Sequence, residues 1–289
     1  MSTPREIRRK IASTHNTQKI TSAMEMVSSV KLRKARQHML DARPYANKIA
    51  EISAHLSNSA INTSSLLLTP RPVTTVGLVV VSSDKGMCGG FNANIFKRVS
   101  QYIREHSDKK IILTLVGKKA ADYFKTKNIP INKQYTNVFF KPNYSDAAAI
   151  GKELLNDFKS GTVDEVCIIF NEFKSTVAQT TRVDVLLPVP SLSGETEPQL
   201  QKNQTSYMLE PDDKSCLDML LEKYFLFQIW RAFLESYASE QGARMAAMSG
   251  ATKNAGELIS KYTLFYNKAR QSAITTELLE VVSGAESLR

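Results

Sequence analysis

The residues best placed to do chemistry in this sequence form a glycine-bearing turn, SDKGMCGGFN, from Ser83 to Asn92. A turn of this kind between a strand and a helix can present backbone amides to a phosphate group. The spacing, however, matches neither GxGxxG nor GxxxxGKS/T, and the nearby pair Gly117-Lys118 has no upstream glycine and no following Ser or Thr. We therefore interpret the segment as a structural turn, with phosphate binding as the alternative.

Other side chains with catalytic or metal-binding potential lie apart in the sequence. The four histidines show no HExxH pattern and no carboxylate at the spacing of a metal ligand. Ser13, Ser83 and Cys88 lack the GxSxG context of a nucleophile. The three cysteines, Cys88, Cys167 and Cys216, have neither CxxC nor metal-site spacing, so we predict reduced thiols. We expect no catalytic residue, no cofactor and no metal.

Positive charge is concentrated near the start of the chain, whose formal net charge is +10. Residues 1–40 contain nine Lys or Arg against two acids, Glu6 and Glu25. Such a segment suits nucleic acid, an anionic membrane surface or an acidic protein, and a solvated helix face is the alternative. No stretch of about 18 apolar residues is present and no apolar run follows the charged N-terminus, so we expect neither a membrane span nor a signal peptide.

Both ends of the chain are predicted to be long helices, from Pro4 to about Ser57 and from Asp212 to Arg289. Steps of three and four residues trace one seam along each helix. The first seam consists of Ile7, Ile11, Thr14, Gln18, Thr21, Glu25, Ser28, Leu32, Ala35, Met39, Ala42, Ala46 and Ile49. The second consists of Leu217, Leu220, Tyr224, Phe227, Arg231, Leu234, Ala238, Gln241, Met245, Met248, Thr252, Ala255, Ile259, Tyr262, Tyr266 and Ala269. Helices this long need partners, so we predict that they pair as an antiparallel coiled coil.

The seams are small or polar in their centres. A coiled coil selected only for stability would carry Ile, Val or Leu there. In the second helix Gly242, Gly250 and Gly256 lie among alanines and serines, although each interior glycine costs about 1 kcal/mol of helix stability. We hypothesise that this stretch lies closely against Thr21–Ser29, giving a slim rod; the alternative is a loop at the glycines. Pro44 is expected to kink or locally break the first helix.

The middle of the chain alternates between strand and helix patterns. Strands are predicted at 75–82, 111–116, 165–170 and 177–187, and helices at 92–105, 118–127 and 145–159. The fold class is therefore α/β: a long antiparallel coiled coil of the N- and C-terminal helices with an inserted Rossmann-like open α/β domain, whose last strand is an antiparallel edge. The predicted organisation is a helix at 1–57, the α/β domain at 74–190, a polar loop at 191–211 and a helix at 212–289.

The last helix ends in an amphipathic segment, ARQSAITTELLEVVSGAESLR, from Ala269 to Arg289. If it extends past the beginning of the first helix, Leu278, Leu279, Val281 and Val282 have no partner within the chain. A separate hydrophobic sleeve would then have to receive them. The alternative is that the segment folds back onto the α/β domain.

Four stretches together resemble the gamma subunit of F-type ATP synthase. They are IRRKIASTHNTQKITSAMEMVSSVKLRKAR, SSDKGMCGGFNANIF, ASEQGARMAAMSGATKNAGELI and YNKARQSAITTELLEVVSGA. They occur in the family's order, and the resemblance runs from end to end. It implies that the terminal helices form a central rotor shaft inside a hexameric ring of alpha and beta subunits. It also implies that the α/β domain sits with the epsilon subunit on the membrane ring of c subunits.

The resemblance further implies which residues make these contacts. Those placed against the catalytic beta subunits are Met24, Gln241, Arg244, Arg270, Gln271, Thr275 and Glu277. Those placed at the c ring or the epsilon subunit are Tyr207, Glu210 and Asp212. In the implied mechanism the asymmetric shaft biases each beta site in turn between tight, loose and open states, so the catalytic residues lie in the partner.

The resemblance is strongest to bacterial members of the family, because the inserted loop with a cysteine pair of plastid members and a mitochondrial presequence are both missing. It therefore implies a peripheral protein on the cytoplasmic face of the bacterial inner membrane, with no nucleic-acid partner and no small-molecule substrate of its own. Two other classes are alternatives. One is a nucleic-acid-binding coiled coil that uses the basic first helix, and the other is a phosphate-binding α/β enzyme that uses Gly86, Gly89 and Gly90.

Overall fold

The structure, a computed structural model, describes residues 3–59, 65–127, 129–140, 142–176, 178–190 and 212–286. Two long helices enclose an α/β segment in the order of the chain. The elements are α1 (Pro4–Ser59), β1 (Thr75–Val81), α2 (Phe91–Glu105), β2 (Lys110–Val116), α3 (Lys118–Phe124), β3 (Ile131–Tyr135), α4 (Tyr144–Lys159), β4 (Glu165–Phe173), β5 (Gln179–Leu187) and α5 (Asp213–Glu286).

The five strands form one open sheet in the order β3-β2-β1-β4-β5. Strands β1 to β4 are parallel, with Val80 opposite Ile169 and Val81 opposite Val116. Strand β5 pairs antiparallel with β4 and forms the edge. The predicted fold class is confirmed, including the antiparallel edge strand.

The central strand shows why the sheet is covered on both faces. In β1, TVGLVVV, every residue after Thr75 is buried, as expected for a parallel strand between two helix layers. Alternate side chains enter different clusters: Leu78 packs with residues of α2 and α3, whereas Val79 packs with residues of α4 and α5. Each fully buried side chain of this size contributes about 1.5–3 kcal/mol to folding.

The chain divides into two compact units. One comprises the chain up to Ser29 and from Arg244 onward, and is called the paired-helix unit below. The other is Val30–Ala243, the sheet unit, which contains all five strands. The long helices α1 and α5 each contribute residues to both units.

The predicted seams agree with the observed burial at every position of both helices: each residue named above is buried or half-buried. Gly242, Gly250 and Gly256 lie inside α5, which is helical from Asp213 to Glu286, so the alternative of a loop at these glycines is wrong. Helix α1 likewise runs through Pro44 without a break.

Two strand predictions needed correction. Strand β3, INKQY, was not predicted, because its three central residues are exposed and polar and it lies at the other edge of the sheet. The last strand begins at Gln179 rather than at residue 177. Helix α3 ends at Phe124, three residues before the predicted end. Among the described residues, no helix is long and apolar enough to cross a membrane.

Candidate functional site on the paired terminal helices

The two helices of the paired-helix unit meet through small and polar side chains. The hydroxyl oxygens of Thr21 and Thr252 lie 2.8 Å apart. A Cβ atom added to Gly256 would lie only 3.2 Å from Nε2 of Gln18. Moving from Thr21 back to Gln18 along α1 therefore corresponds to moving from Thr252 forward to Gly256 along α5. The two helices run antiparallel. The contact between Thr21 and Thr252 confirms the predicted pairing in part, but an added Cβ would meet no atom within 4 Å at Gly250 and would meet Thr176 rather than α1 at Gly242.

The threonine pair replaces an apolar seam layer with a hydrogen-bonded one. Each hydroxyl also lies close to a carbonyl of its own helix, at 3.0 Å between Thr21 and Gln18 and at 2.8 Å between Thr252 and Met248. The adjacent seam positions are the half-buried Gln18 and Glu25 on α1 and the buried Met248 and Ala255 on α5. Apart from Met248, these side chains are small or polar and bury little apolar area, so this part of the seam contributes little free energy from hydrophobic burial.

The start of α1 is fixed by a reciprocal cap that the pattern analysis missed. The amide of Thr3 donates to Oε2 of Glu6 at 3.1 Å, and the amide of Glu6 donates to Oγ1 of Thr3 at 3.3 Å. This is a capping box, and the TPRE spacing was its signal. It satisfies two of the helix's free amide donors at the position where the seam begins.

A band of positive charge follows the cap. Its five members are exposed, and no carboxylate pairs with them among the residues that the structure describes. They are Arg5, Arg8, Arg9, Lys10 and Lys19. Helix α1 therefore presents a basic surface whose charges are not neutralised by the described part of the chain, as a surface for an acidic partner would be.

The seam stops before α5 does. The last half-buried position is Ala273, and every later residue of the helix whose side chain is described is exposed. The exposed set includes large apolar side chains, between 48 and 71% accessible: Ile274, Leu278, Leu279, Val281 and Val282. Among the described residues, no side chain covers this segment. An apolar surface of this size on a helix end indicates a binding surface.

The turn that could have held a phosphate is closed by its own side chains. Asn92 donates from Nδ2 to Oγ of Ser83 at 2.8 Å, and its Oδ1 accepts from the Ser83 amide at 3.1 Å. The carboxylate of Asp84 accepts the amides of Lys118, Asn137 and Phe139 at 2.8–3.0 Å. These contacts support the interpretation as a structural turn.

The crevice where an open α/β sheet usually holds its ligand is also occupied. It lies beyond the carboxyl ends of β1 and β4, where the chain order reverses. There Asn171 donates from Nδ2 to the Phe91 carbonyl at 3.2 Å, and Ser239 of α5 donates to the Asn171 carbonyl at 3.0 Å. The hydroxyl of Thr181 donates to Oδ1 of Asn171 at 2.6 Å. Sequence reasoning missed this buried polar cluster, because no motif marks it.

The cysteines are free thiols in the structure. Burial raises the pKa of the Cys167 thiol to about 12, so it stays protonated at neutral pH. Its sulfur lies 3.5 Å from the hydroxyl of Tyr102, whose pKa burial also raises. No group of three or more metal-ligating side chains occurs in the described ranges.

Comparison with known proteins places the chain in a family. Residues 3–288 match the family model described as ATP synthase. Relatives that the chain covers completely are called ATP synthase gamma chain; one from Glaesserella parasuis is 43% identical over 290 residues, and one from Geobacter metallireducens is 44% identical over 292. Both alignments cover 100% of this chain and 100% of the relative. The chain belongs to the ATP synthase gamma chain family.

Solved structures share the gamma chain fold at lower identity. A chain of the Euglena gracilis mitochondrial ATP synthase, from a structure of OSCP, F1 and c-ring, matches with a TM-score of 0.69 at 18% identity, covering 99% of this chain and 94% of that one. A chain of the central stalk and c-ring structure from Tetrahymena thermophila matches with a TM-score of 0.61 at 24% identity, covering 80% and 99%.

Four of the residues that the gamma chain resemblance placed against the beta subunits lie together near the end of the seam. Arg270, Gln271, Thr275 and Glu277 are all exposed in α5. The hydroxyl of Thr275 donates to the Gln271 carbonyl at 2.9 Å, which leaves its methyl group and the other three polar ends available to a partner. Met24 is half-buried in α1.

Two other gamma chain positions are more enclosed. Gln241 is only 3% exposed and Arg244 only 7%. The side-chain nitrogen Nε2 of Gln241 lies 3.4 Å from Oε1 of Glu240. Their predicted contact with a beta subunit stays a prediction, and it would have to use the small surface that this chain leaves open.

The residues assigned to the c ring or the epsilon subunit are described in part. Tyr207 and Glu210 lie outside the described residues. Asp212 is exposed immediately before α5 and accepts the Ser215 amide at 3.0 Å. That hydrogen bond holds the pKa of the Asp212 carboxyl below its usual value, as for a helix N-cap. Its predicted contact with the membrane ring stays a prediction.

Proposed function

We propose that the chain is the rotating central shaft of a proton-translocating F-type ATP synthase. It couples rotation of a membrane c ring to ATP synthesis at the beta subunits, and it transmits rotation the other way during ATP hydrolysis. The observation that carries this proposal is the end of α5, where large apolar side chains beyond Ala273 are exposed in a protein whose relatives are called ATP synthase gamma chain.

The exposed helix end suits a hydrophobic sleeve formed by an alpha and beta hexamer. Its large apolar side chains lie within about half of the helix circumference at 100° per residue, with Glu277 and Glu280 on the other half, so the apolar half would contact the sleeve. Arg270 and Glu277 supply charges at the entrance, where they distinguish one beta conformer from another. Only such differential contact allows rotation to shift the sites between tight, loose and open states.

The basic face of α1 suits acidic loops of the same ring. Arg5, Arg8 and Arg9 lie exposed within the first turns, and Lys19 continues the positive surface. Contacts between solvent-exposed charges are weak, each about 0–1 kcal/mol, which suits a shaft that must release every partner as it turns.

The sheet unit would rest on the c ring together with an epsilon subunit, at the cytoplasmic face of a bacterial inner membrane. The chain would be a peripheral and non-catalytic subunit. In support of this, α5 fills the crevice of the sheet through Ser239 and Asn171, where a nucleotide-binding domain would hold its ligand. ATP would bind and react in the beta subunits.

Reconstitution tests the proposal. Purified alpha and beta subunits are mixed with the full chain or with a chain ending at Ser272, and Mg-ATP hydrolysis and complex size are measured. The full chain should form one large complex and activate hydrolysis strongly, and the shortened chain should activate less. If a folded full chain produces neither a complex nor activation, the shaft proposal is wrong.

A further inference from the structure

A cavity of about 500 Å³ opens on the sheet unit, away from the crevice of the sheet. Helix α1, the segment before α4 and helix α5 each supply part of its wall. Its polar and charged lining comes from Lys31, Lys34, His38 and Asn143, and its apolar lining includes Phe140 and Trp230. Ligand cavities in proteins typically measure roughly 300–1,000 Å³, so a small molecule would fit.

The aromatic walls are held in place by their neighbours. The Trp230 ring meets the Tyr144 ring edge-on, with 6.3 Å between centroids and 88° between planes. Tyr237, which also lines the cavity, stacks on Phe139 at 6.4 Å and 9°. Because these two rings are held by their neighbours, little ordering entropy is lost when a ligand ring contacts them.

Phe140 is the exception, because its side chain is 75% exposed at the rim. The Lys85 ammonium lies 5.9 Å from the centroid of its ring. An exposed phenyl ring beside a cavity gains hydrophobic contact when the ring of a ligand enters. The neighbouring ring of Phe139 is already buried and has little further contact to gain.

The charge of the lining is of one sign. Lys31, Lys34 and His38 follow one another along one face of α1, and no acidic side chain lines the cavity. None of the three has a carboxylate partner among the described residues. Outside the lining, the carboxylate of Asp146 accepts from Nδ2 of Asn143 at 3.0 Å, and Oδ1 of Asn143 accepts the Asp146 amide at 2.8 Å as the N-cap of α4.

We propose that this cavity binds a small aromatic anion, a molecule with a planar ring and at least one acidic group. The ring enters between Trp230 and Phe140, and the acidic group is held by Lys31 and Lys34. Mononucleotides and simple aromatic acids share this chemistry. Every lining residue belongs to the sheet unit, so this proposal does not use the exposed end of α5 that carries the shaft proposal.

The chain offers a built-in reporter, because Trp230 is its single tryptophan. The full chain is titrated with 1-anilinonaphthalene-8-sulfonate, an aromatic sulfonate that accepts energy from excited tryptophan. Saturable quenching of Trp230 with one site per chain is expected. Displacement by AMP but not by 2-naphthoate would identify nucleotides as the source of the ligand, and displacement by 2-naphthoate but not by AMP would identify aromatic acids.

Two variants locate the site. The double variant Lys31→Gln and Lys34→Gln should weaken binding about tenfold, because each substitution removes one positive charge that attracts the acidic group of the ligand. Phe140→Ala should weaken it about threefold without affecting the fold, since the ring is exposed. The matched control is Lys97→Gln with Lys125→Gln, two exposed lysines of the same unit that do not line the cavity; it should bind as the unchanged chain does.

Three results would overturn the proposal. The first is quenching that does not saturate or that is absent, and the second is equal weakening by the control pair. The third is binding of an acidic helical peptide at this cavity when no aromatic anion binds, which would make the surface a protein interface instead.

Discussion

The two units of this chain hold themselves together by different means. In the sheet unit, residues from all five strands and from α2 to α5 enter two continuous apolar clusters, with Phe124, Phe158 and Phe170 fully buried. In the paired-helix unit, the centre of the seam is small or polar at Thr21, Ser28 and Thr252, the larger side chains of Ile7 and Met248 are buried beside it, and several large apolar side chains near the end of α5 are exposed. The sheet unit is therefore stabilised by burial of its own apolar side chains, whereas the paired-helix unit leaves large apolar side chains exposed, where a partner could bury them.

This difference predicts opposite responses to the same kinds of substitution. Changes in the sheet unit should alter the free energy of unfolding and leave binding surfaces intact. Changes on the paired-helix unit should alter assembly with partners and leave folding almost unaffected. Each prediction below tests one side of that contrast, from the largest effect on stability to the smallest.

Phe158→Ala should have the largest effect. The ring is fully buried, and the Arg71 guanidinium lies 4.2 Å from its centroid. Truncation therefore leaves a cavity and removes the cation–π contact with Arg71. We expect a loss of about 3–5 kcal/mol in urea unfolding followed by Trp230 fluorescence. Phe265→Ala, at a side chain 51% exposed in the paired-helix unit, is the control and should change stability by less than about 0.5 kcal/mol. Similar losses for both would contradict the contrast.

Gly117→Ala should follow, with a loss of about 3 kcal/mol. The residue has a φ of +99°, and an added Cβ would lie 2.3 Å from the Ser82 carbonyl oxygen, which cannot move because it belongs to the backbone. Gly161→Ala separates strain from collision. Its φ is +76° but no atom lies within 4 Å of the added Cβ, so only about 1 kcal/mol should be lost. Equal losses in thermal unfolding would show that the Ser82 contact is unimportant.

Asp164→Asn should cost about 2 kcal/mol at neutral pH. The carboxylate accepts the Thr74 hydroxyl at 2.7 Å and the Thr75 amide at 2.9 Å, and these bonds hold its pKa below the ordinary value of 3.8. A depressed pKa stabilises the folded state above the unfolded-state pKa, and this contribution disappears as the pH falls through the folded-state pKa. The difference between the two proteins should therefore be constant near pH 7 and shrink below about pH 4.

Urea midpoints measured across that pH range check this expectation. Asp108→Asn is the control, because Asp108 is exposed and its carboxylate makes no hydrogen bond or ion pair with any residue that the structure describes. If the difference in stability between wild type and Asp164→Asn stays constant down to low pH, the negative charge of the Asp164 carboxylate does not contribute to stability.

The paired-helix seam should respond more weakly. Thr21→Val and Thr252→Val each remove one member of the 2.8 Å hydroxyl contact and should each cost about 1 kcal/mol in local stability. The double variant should cost no more than one single variant, because removing both hydroxyls leaves none unpaired. Hydrogen exchange of the surrounding amides measures this. Thr263→Val, whose exposed hydroxyl bonds only its own helix, is the control. Additive losses would show that the two threonines do not interact.

Sequence patterns predicted these seams because a coiled coil repeats one local rule over many turns. Every seam position from Ile7 to Ile49 is buried or half-buried, although eight of the thirteen are small or polar. Strand β3 escaped prediction for the opposite reason: it is five residues long, polar and at an edge, so its place depends on pairing with β2 alone. The Asn171 cluster escaped because residues distant in sequence form it. The partner contacts came from family resemblance, since no pattern within one chain encodes another chain's surface.

Leu278→Ser with Leu279→Ser should have the smallest effect on folding and a large one on assembly. Both side chains are 61% exposed and no other described residue covers them, so the free energy of unfolding should change by less than about 0.5 kcal/mol. In the proposed sleeve both would be buried, and losing each should cost about 1–2 kcal/mol of binding, so the double variant should lose about 2–4 kcal/mol, or roughly 30- to 1,000-fold in affinity for the alpha and beta complex. Met219→Ser, equally exposed in the sheet unit, should leave both quantities unchanged. Titrating each variant into alpha and beta subunits while following Mg-ATP hydrolysis separates the outcomes. A double variant that unfolds at lower urea would show that the helix end is covered by this chain, and one that activates hydrolysis like wild type would show that no sleeve grips it.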